Sequence, residues 1–163
     1  MNKLTVANNA HVRGDVAKAE RLYREILKKG FAWEAAANLG VLLINRGALA
    51  QAEYFLEKAV PEGDATTAAN YAVALRNQGR KDEAKAFLSA CASKPGFTDH
   101  ASALVNFGAL LFDLSMFGRA EEVLVKALEK DPKHADGNWN LALSRLAQRK
   151  WEGWGGHRWG IGS

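Results

Sequence analysis

The chain has 163 residues, of which 48% are hydrophobic and 25% are charged, and its formal net charge is +4. This length and balance predict one folded domain and exclude a wholly disordered chain. No apolar run approaches the ~18 residues that a membrane span requires, so we expect no membrane association. The mild positive charge is spread along the chain, which disfavours nucleic acid as a partner.

Residue counts and the number of cysteines limit the possible fold classes and the possible cellular compartments of the protein. The chain contains 29 alanines against nine valines, three isoleucines and four threonines. Because alanine favours helices and β-branched residues favour sheets, these counts predict an all-α protein. The single cysteine, Cys91, excludes an internal disulfide bond and a thiolate metal site. The N-terminus lacks the pattern of a secretory signal, and we therefore expect a cytoplasmic protein.

The sequence repeats itself about every thirty-four residues. An asparagine, a large apolar residue and a small residue recur at intervals of 32, 36 and 34 residues in the triplets Asn38-Leu39-Gly40, Asn70-Tyr71-Ala72, Asn106-Phe107-Gly108 and Asn140-Leu141-Ala142. These intervals divide the single domain, residues 1–163, into repeats 1–32, 33–64, 65–100, 101–134 and an incomplete repeat 135–163. Each repeat is predicted to hold a first helix, a tight turn and a second helix.

Each repeat assigns small and large residues to fixed places. The first helix of the first repeat fits the pattern least well, because it has Val6-Ala7 where the pattern has its usual pair of residues. The later repeats follow the pattern more closely. The small residue of each triplet is expected to bring the first helix close to the second. Seven positions later, a residue suited to a left-handed backbone ends the first helix. These turn residues are Gly47, Gly79 and Ser115, and the matching second helices carry Ala52, Ala84 and Ala120 followed by Leu56, Leu88 and Leu124.

This spacing resembles the tetratricopeptide repeat. Its clearest copy runs through Asn106-Phe107-Gly108-Ala109-Leu110-Leu111 and continues at Phe117, Ala120, Leu124, Ala127 and Pro132. The resemblance implies a right-handed superhelical array, or solenoid, of about four and a half helix-turn-helix repeats. It also implies that the first helices line a concave surface that binds protein partners.

The inward positions of the first helices carry mainly asparagine and apolar side chains. An asparagine amide offers an acceptor and two donor hydrogens, so a row of them can satisfy the N–H and C=O groups of an extended peptide. The row resembles the asparagines inside the repeat superhelix of O-linked N-acetylglucosamine transferases. Alternatively, each asparagine bonds only to the neighbouring helix. The predicted peptide-binding residues are Asn38, Val41, Asn45, Asn70, Val73, Arg76, Asn77, Asn106, Phe112 and Asn140, with Asn8 extending the row.

No residue pattern indicates catalysis, a cofactor or a bound metal. The four histidines stand far apart, so no two share the helical spacing of a metal site. Cys91 takes a place where the repeat needs a small buried residue. The positions at which some repeat domains carry the cations that bind the terminal carboxylate of a chaperone hold only apolar residues here, which disfavours such a ligand. These positions are Leu4, Ala37, Ala69, Val73 and Val105. We therefore expect a non-enzymatic module that binds a protein or an extended peptide.

The last thirteen residues differ from the rest, since they hold three of the five tryptophans and five of the fifteen glycines. Trp151, Trp154 and Trp159 are predicted to mediate self-association or contact with another domain, or else to fold back on the first helix of the fifth repeat. Gly153-Trp154 followed by Arg158-Trp159 resembles the last repeat of bacterial proteins in which such an array precedes a glycosyltransferase-type domain. This resemblance implies an alternative function, the N-terminal region of a larger glycosyltransferase-type enzyme, supporting or presenting substrate to a catalytic domain.

Overall fold

A computed structural model describes the backbone of residues 1–156 and the side chains of residues 1–149. Within these residues the chain forms α-helices and one short 3-10 helix, Phe97–Asp99, and no strand. The all-α prediction is therefore confirmed. The helices are α1 (Lys3–Val12), α2 (Val16–Lys29), α3 (Trp33–Asn45), α4 (Leu49–Ala59), α5 (Ala65–Asn77), α6 (Lys81–Ala92), α7 (Ala101–Asp113), α8 (Phe117–Lys130) and α9 (Ala135–Gly156).

The helices pack in sequential pairs. α1 packs against α2, α3 against α4, α5 against α6 and α7 against α8, while α9 packs against α7 and α8. The chain divides into two compact units, residues 1–97 with α1 to α6 and residues 98–163 with α7 to α9. The first helices of the second to fifth repeats begin at Trp33, Ala65, Ala101 and Ala135, the residues at which the sequence starts each repeat.

The turns between paired helices have the predicted left-handed backbone. Gly47 and Gly79 have φ angles of 78° and 82°, and Ser115 has a φ angle of 59°. A side chain is strained at such angles, so glycine is favoured there and Ser115 is the costly exception. The fifth repeat lacks this turn, because α9 continues through Arg149, the corresponding residue, as far as Gly156.

Glycine in the first helix permits close approach of the second helix, as predicted. A Cβ added at Gly40 would overlap Leu56 Cγ and stand 2.9 Å from Leu56 Cδ1. A Cβ added at Gly108 would stand 2.5 Å from Leu124 Cγ. Both leucines are fully buried in well-packed surroundings, so neither has free space to move into. The third repeat carries Ala72 at this place, and that residue is also buried.

A glutamate on the second helix links consecutive repeats of the first compact unit. Glu53 of α4 accepts hydrogen bonds from Gln78 Nε2 at 2.8 Å and from Arg80 Nη1 at 2.7 Å, at the turn between α5 and α6. Glu20 of α2 pairs in the same way with Arg46, which follows α3. The hydrogen bond from Gln78 and the Arg80 guanidinium hold the pKa of Glu53 below its ordinary value, against the opposing effect of burial.

The second compact unit contains the same link. Glu121 of α8 accepts hydrogen bonds from Arg145 Nε at 2.7 Å and from Gln148 Nε2 at 2.6 Å, both on α9. These bonds lower the pKa of Glu121. Glu20, Glu53 and Glu121, the inter-repeat glutamates, each directly follow a buried alanine, whereas Lys85 takes this place in the third repeat.

Candidate functional site

The first compact unit carries most of the predicted peptide-binding residues. Its helices α1, α3 and α5 lie side by side, with α3 in contact with both of the others. The predicted residues are therefore held by the fold and remain accessible from solvent. Asn38, Val41, Asn70, Val73 and Arg76 are half-buried, and Asn45 and Asn77 are exposed.

In the second compact unit, the predicted residues lie on α7 and α9, which contact each other. Asn106, Phe112 and Asn140 are all half-buried. The ring of Phe112 packs against Phe117 at the start of α8, with 5.3 Å between the ring centroids. Part of the Phe112 side chain therefore stabilises its own helix pair, and the remainder is accessible.

Four side chains of the first compact unit form a hydrogen-bonded network. Asn8 Oδ1 accepts a hydrogen bond from Asn38 Nδ2 at 2.9 Å and another from the Tyr23 hydroxyl at 2.9 Å. The Tyr23 oxygen lies 3.3 Å from His11 Nδ1. Asn8 and His11 belong to α1, Tyr23 to α2 and Asn38 to α3. The network therefore ties together three helices of the first compact unit. It contains two members of the predicted asparagine row (Asn38, Asn70, Asn106 and Asn140, extended by Asn8).

The repeat pattern in the sequence does not connect Tyr23 of α2 with the asparagines. The residue is fully buried, and burial raises the pKa of its phenol. A buried tyrosine hydroxyl needs a hydrogen-bond partner, and this requirement was the signal available in the sequence. Its partner lies fifteen residues away on the preceding helix, so the spacing within one helix could not identify it.

The remaining asparagines of the row differ from this pair. Within the described part of the chain, the side-chain amides of Asn70, Asn106 and Asn140 form no hydrogen bond to another residue. Each of these amides is half-buried and reaches solvent. Asn8 and Asn38 therefore bond to each other across neighbouring helices, whereas the other three asparagines keep their donors and acceptors available.

Helix α9 presents an apolar stripe to solvent. Trp139 is 67% exposed and Leu146 is 50% exposed, and exposed Ala142 lies between them on the same helical face. In the second repeat, the residue equivalent to Ala142 is Gly40, which lies against Leu56 of α4. The stripe on α9 therefore corresponds to a face that a second helix covers in the earlier repeat.

The predicted aromatic contact at the C-terminus lies outside the described side chains. Trp151 and Trp154 lie within the bounds of α9, beyond the last described side chain, and Trp159 lies outside the described residues. Among the residues that are described, no group of three or more acidic, histidine or cysteine side chains could hold a metal ion. No described helix is long and apolar enough to cross a membrane.

Comparison with solved structures gives several similar folds. Pseudomonas aeruginosa PilF is 19% identical with a TM-score of 0.76, over 91% of this chain and 68% of that chain. YrrB, described as a tetratricopeptide repeat protein with an unusual peptide-binding site, is 19% identical with a TM-score of 0.63, over 90% of this chain and 76% of that chain. A chain of the APC/C hetero-tetramer Cut9–Hcn1 is 18% identical with a TM-score of 0.73, over 87% of this chain and 29% of that chain. No curated protein sequence matches.

Family comparison agrees with the repeat seen in the sequence. A tetratricopeptide repeat model matches residues 7–69 and 105–153, more than half of the chain, and a second such model matches residues 65–93. The solved structures confirm the predicted fold class, an array of helix-turn-helix repeats. The repeat is a protein-interaction fold, whose stacked helix pairs provide extended binding surfaces. The chain belongs to the tetratricopeptide repeat family.

Proposed function

We propose that this chain is a non-catalytic interaction module that binds an extended peptide or partner segment along its first helices. The observation that carries the proposal is the asparagine row, which places one accessible amide in each repeat. An extended peptide exposes N–H and C=O groups, and asparagine amides offer the complementary acceptor and donors. Val41 and Val73 are half-buried on the same helices, and they favour apolar side chains in the bound segment.

Two of the similar structures support an interaction role of this kind. YrrB is described as having a peptide-binding site, and Cut9–Hcn1 as a hetero-tetramer. These descriptions concern those proteins, and fold alone does not transfer a ligand. They show that related folds bind peptides and assemble with other chains, which is the class of activity proposed here.

The proposal is tested by selecting peptides from a random twelve-residue phage-displayed library on the full chain. The affinity of a selected peptide is then measured for the native chain and for Asn70→Ala/Asn77→Ala, which changes two predicted asparagines of α5. Loss of two amide contacts is expected to weaken binding about five- to hundredfold, since each neutral hydrogen bond contributes roughly 0.5–1.5 kcal/mol. Asn9→Ala, an exposed asparagine of α1 outside the row, is the matched control and should bind like the native chain.

Three results would contradict the proposed function. The library could yield no binding peptide, or the double variant could bind the selected peptide as well as the native chain does. A peptide that perturbs backbone amide resonances of the second helices only would place the binding site elsewhere. Circular dichroism of both variants controls for unfolding.

We also propose that the apolar stripe of α9 binds a second copy of the same chain, together with Trp151, Trp154 and Trp159. Trp139 and Leu146 flank Ala142, so two antiparallel copies of α9 would place each indole against the other copy's leucine. Sedimentation equilibrium should show a dimer that Trp139→Lys converts to monomer. Phe31→Lys, an exposed aromatic outside α9, should leave the dimer intact. A native chain that stays monomeric at millimolar concentration would contradict the proposal.

The alternative role in a glycosyltransferase-type enzyme stays a prediction. It depends on Gly153, Trp154, Arg158 and Trp159, which lie beyond the described side chains. Coding sequence after Ser163 with alternating strand and helix patterns would support it.

A further inference from the structure

We propose that Tyr23 is a positioning residue, which fixes the amide orientations of Asn8 and Asn38 so that this pair binds the backbone C=O and N–H of one residue of an extended peptide. The inference rests on the proposed function and adds a specificity to it. The recognised residue must have a free N–H, so proline or an N-methylated residue at that position would bind poorly here.

The first step of the argument follows the hydrogens through the network. Asn8 Oδ1 accepts from both the Tyr23 hydroxyl and Asn38 Nδ2, which engages both of its lone pairs. The Tyr23 hydroxyl has a single hydrogen and directs it to Asn8. The contact between Tyr23 and His11 Nδ1 must therefore be a hydrogen bond that His11 donates.

The second step identifies which groups remain available. Asn8 Nδ2 keeps its two N–H donors, and Asn38 Oδ1 keeps its acceptor capacity. Both residues are half-buried, and no described side-chain nitrogen or oxygen is buried without a partner, so these groups reach solvent. Because Asn8 Oδ1 and Asn38 Nδ2 are 2.9 Å apart, the available donor and acceptor belong to directly adjacent side chains. Such a pair can donate to a peptide C=O and accept from a peptide N–H.

The third step concerns the role of the hydroxyl. In its absence, Asn8 would lose one of the two donors that hold its oxygen in place, and the amide could rotate to exchange its oxygen and nitrogen. Asn38 would then have to rotate as well, and the pair would present its donor and acceptor in the reverse order. Tyr23 touches no ligand in this scheme, because its side chain is fully buried and it acts through the two asparagines.

The test uses the twelve-residue peptide selected on the full chain and a set of its analogues, each N-methylated at one position. We expect one position at which methylation weakens binding to the native chain. Tyr23→Phe keeps the buried ring and should weaken binding of the unmethylated peptide about three- to tenfold. Methylation at the sensitive position should then weaken binding to Tyr23→Phe much less than binding to the native chain, because the two changes remove the same interaction.

Two further variants keep this test decisive. Tyr54→Phe removes the hydroxyl of an exposed tyrosine on α4 and should leave both the affinity and the methylation pattern unchanged. His11→Ala removes the donor to Tyr23 at a half-buried position near the end of α1, and it should reproduce a smaller part of the Tyr23→Phe effect. It replaces Tyr23→Phe in the cycle if the latter does not fold.

The outcomes separate this inference from the proposed function. A peptide that binds the asparagine row but responds additively to Tyr23→Phe and to methylation overturns the positioning role and leaves the proposed function intact. A peptide insensitive to methylation at every position has the same meaning. A library that yields no peptide overturns both. Coupled losses, together with an unchanged Tyr54→Phe control, support both.

Discussion

The second and third repeats join their paired helices through different residues at the same place. In the second repeat, Gly40 lies directly against Leu56, and no Cβ fits between them. In the third repeat, Ala72 takes the place of the glycine and is accommodated against α6. The contact between α3 and α4 is accordingly more extensive than the contact between α5 and α6. The additional Cβ atom of Ala72 thus accompanies a less extensive contact between α5 and α6.

The fourth repeat shows that this difference is not specific to the second repeat. Gly108 and Leu124 repeat the arrangement of Gly40 and Leu56, and α7 contacts α8 as extensively as α3 contacts α4. The sequence pattern requires only a small residue at this position of the first helix, but glycine and alanine there give two different helix contacts. With glycine, a leucine of the second helix fills the space above the first helix, and with Ala72 the contact between the two helices is less extensive.

The largest expected effect comes from removing the leucine. Leu56→Ala should lower the free energy of unfolding by about 2–5 kcal/mol, because a fully buried side chain is replaced by a cavity against Gly40. Leu88→Ala is the matched change in the third repeat and should cost less, since Ala72 already occupies part of the corresponding space. Urea denaturation of both variants measures the difference. Equal losses would mean that the two helix pairs are equally close.

Adding one carbon to the glycine tests the same contact from the other side. Gly40→Ala should destabilise the fold by roughly 1–3 kcal/mol, because overpacking against Leu56 outweighs the helix propensity gained. Combined with Leu56→Ala, the loss should be smaller than the sum of the two single losses, because the new methyl group enters the cavity. A stabilising Gly40→Ala would show that the second repeat tolerates the spacing of the third.

The turn residue distinguishes the third repeat from the fourth. Gly79→Ala should cost about 1 kcal/mol, since its φ angle of 82° strains any side chain. Ser115→Gly should give a gain of similar or smaller size, because it relieves the strain of a non-glycine residue at a φ angle of 59°. Thermal unfolding measures both. A destabilising Ser115→Gly would indicate that the Ser115 side chain makes a compensating interaction.

The smallest expected effect concerns the inter-repeat glutamate, which the second repeat has and the third replaces with Lys85. Glu53→Gln should cost about 0.5–1 kcal/mol at neutral pH, with Glu57→Gln as an exposed control on the same helix. Because the folded pKa of Glu53 is lowered, its contribution is complete above the ordinary glutamate pKa and is lost as the pH falls through the folded value. The variant should therefore lose less stability on acidification than the native chain, and an unchanged acid dependence would contradict the assignment.

The repeat and its helices could be predicted because each depends on residue types that recur at one place. Asparagine triplets, turn glycines and buried alanines predict the order of the helices, although they do not predict the distances between the helices. The difference between Gly40 and Ala72 is also visible in the sequence. Its consequence for the contact between the paired helices can be inferred only from the position of Leu56 in the structure. The sequence could not show that Tyr23 and Asn38 both donate to the side-chain oxygen of Asn8, because that depends on how three helices are angled against one another.

The single thiol of the chain has a practical consequence. Cys91 lies on α6 with 8% of its surface exposed, and burial raises the pKa of its thiol, so little reactive thiolate is present at neutral pH. A thiol reagent can modify it rapidly only when α6 moves away from its neighbours. Cys91 can therefore serve as a probe of local unfolding. Its rate of labelling by a thiol reagent reports how often the third repeat opens in the otherwise folded protein.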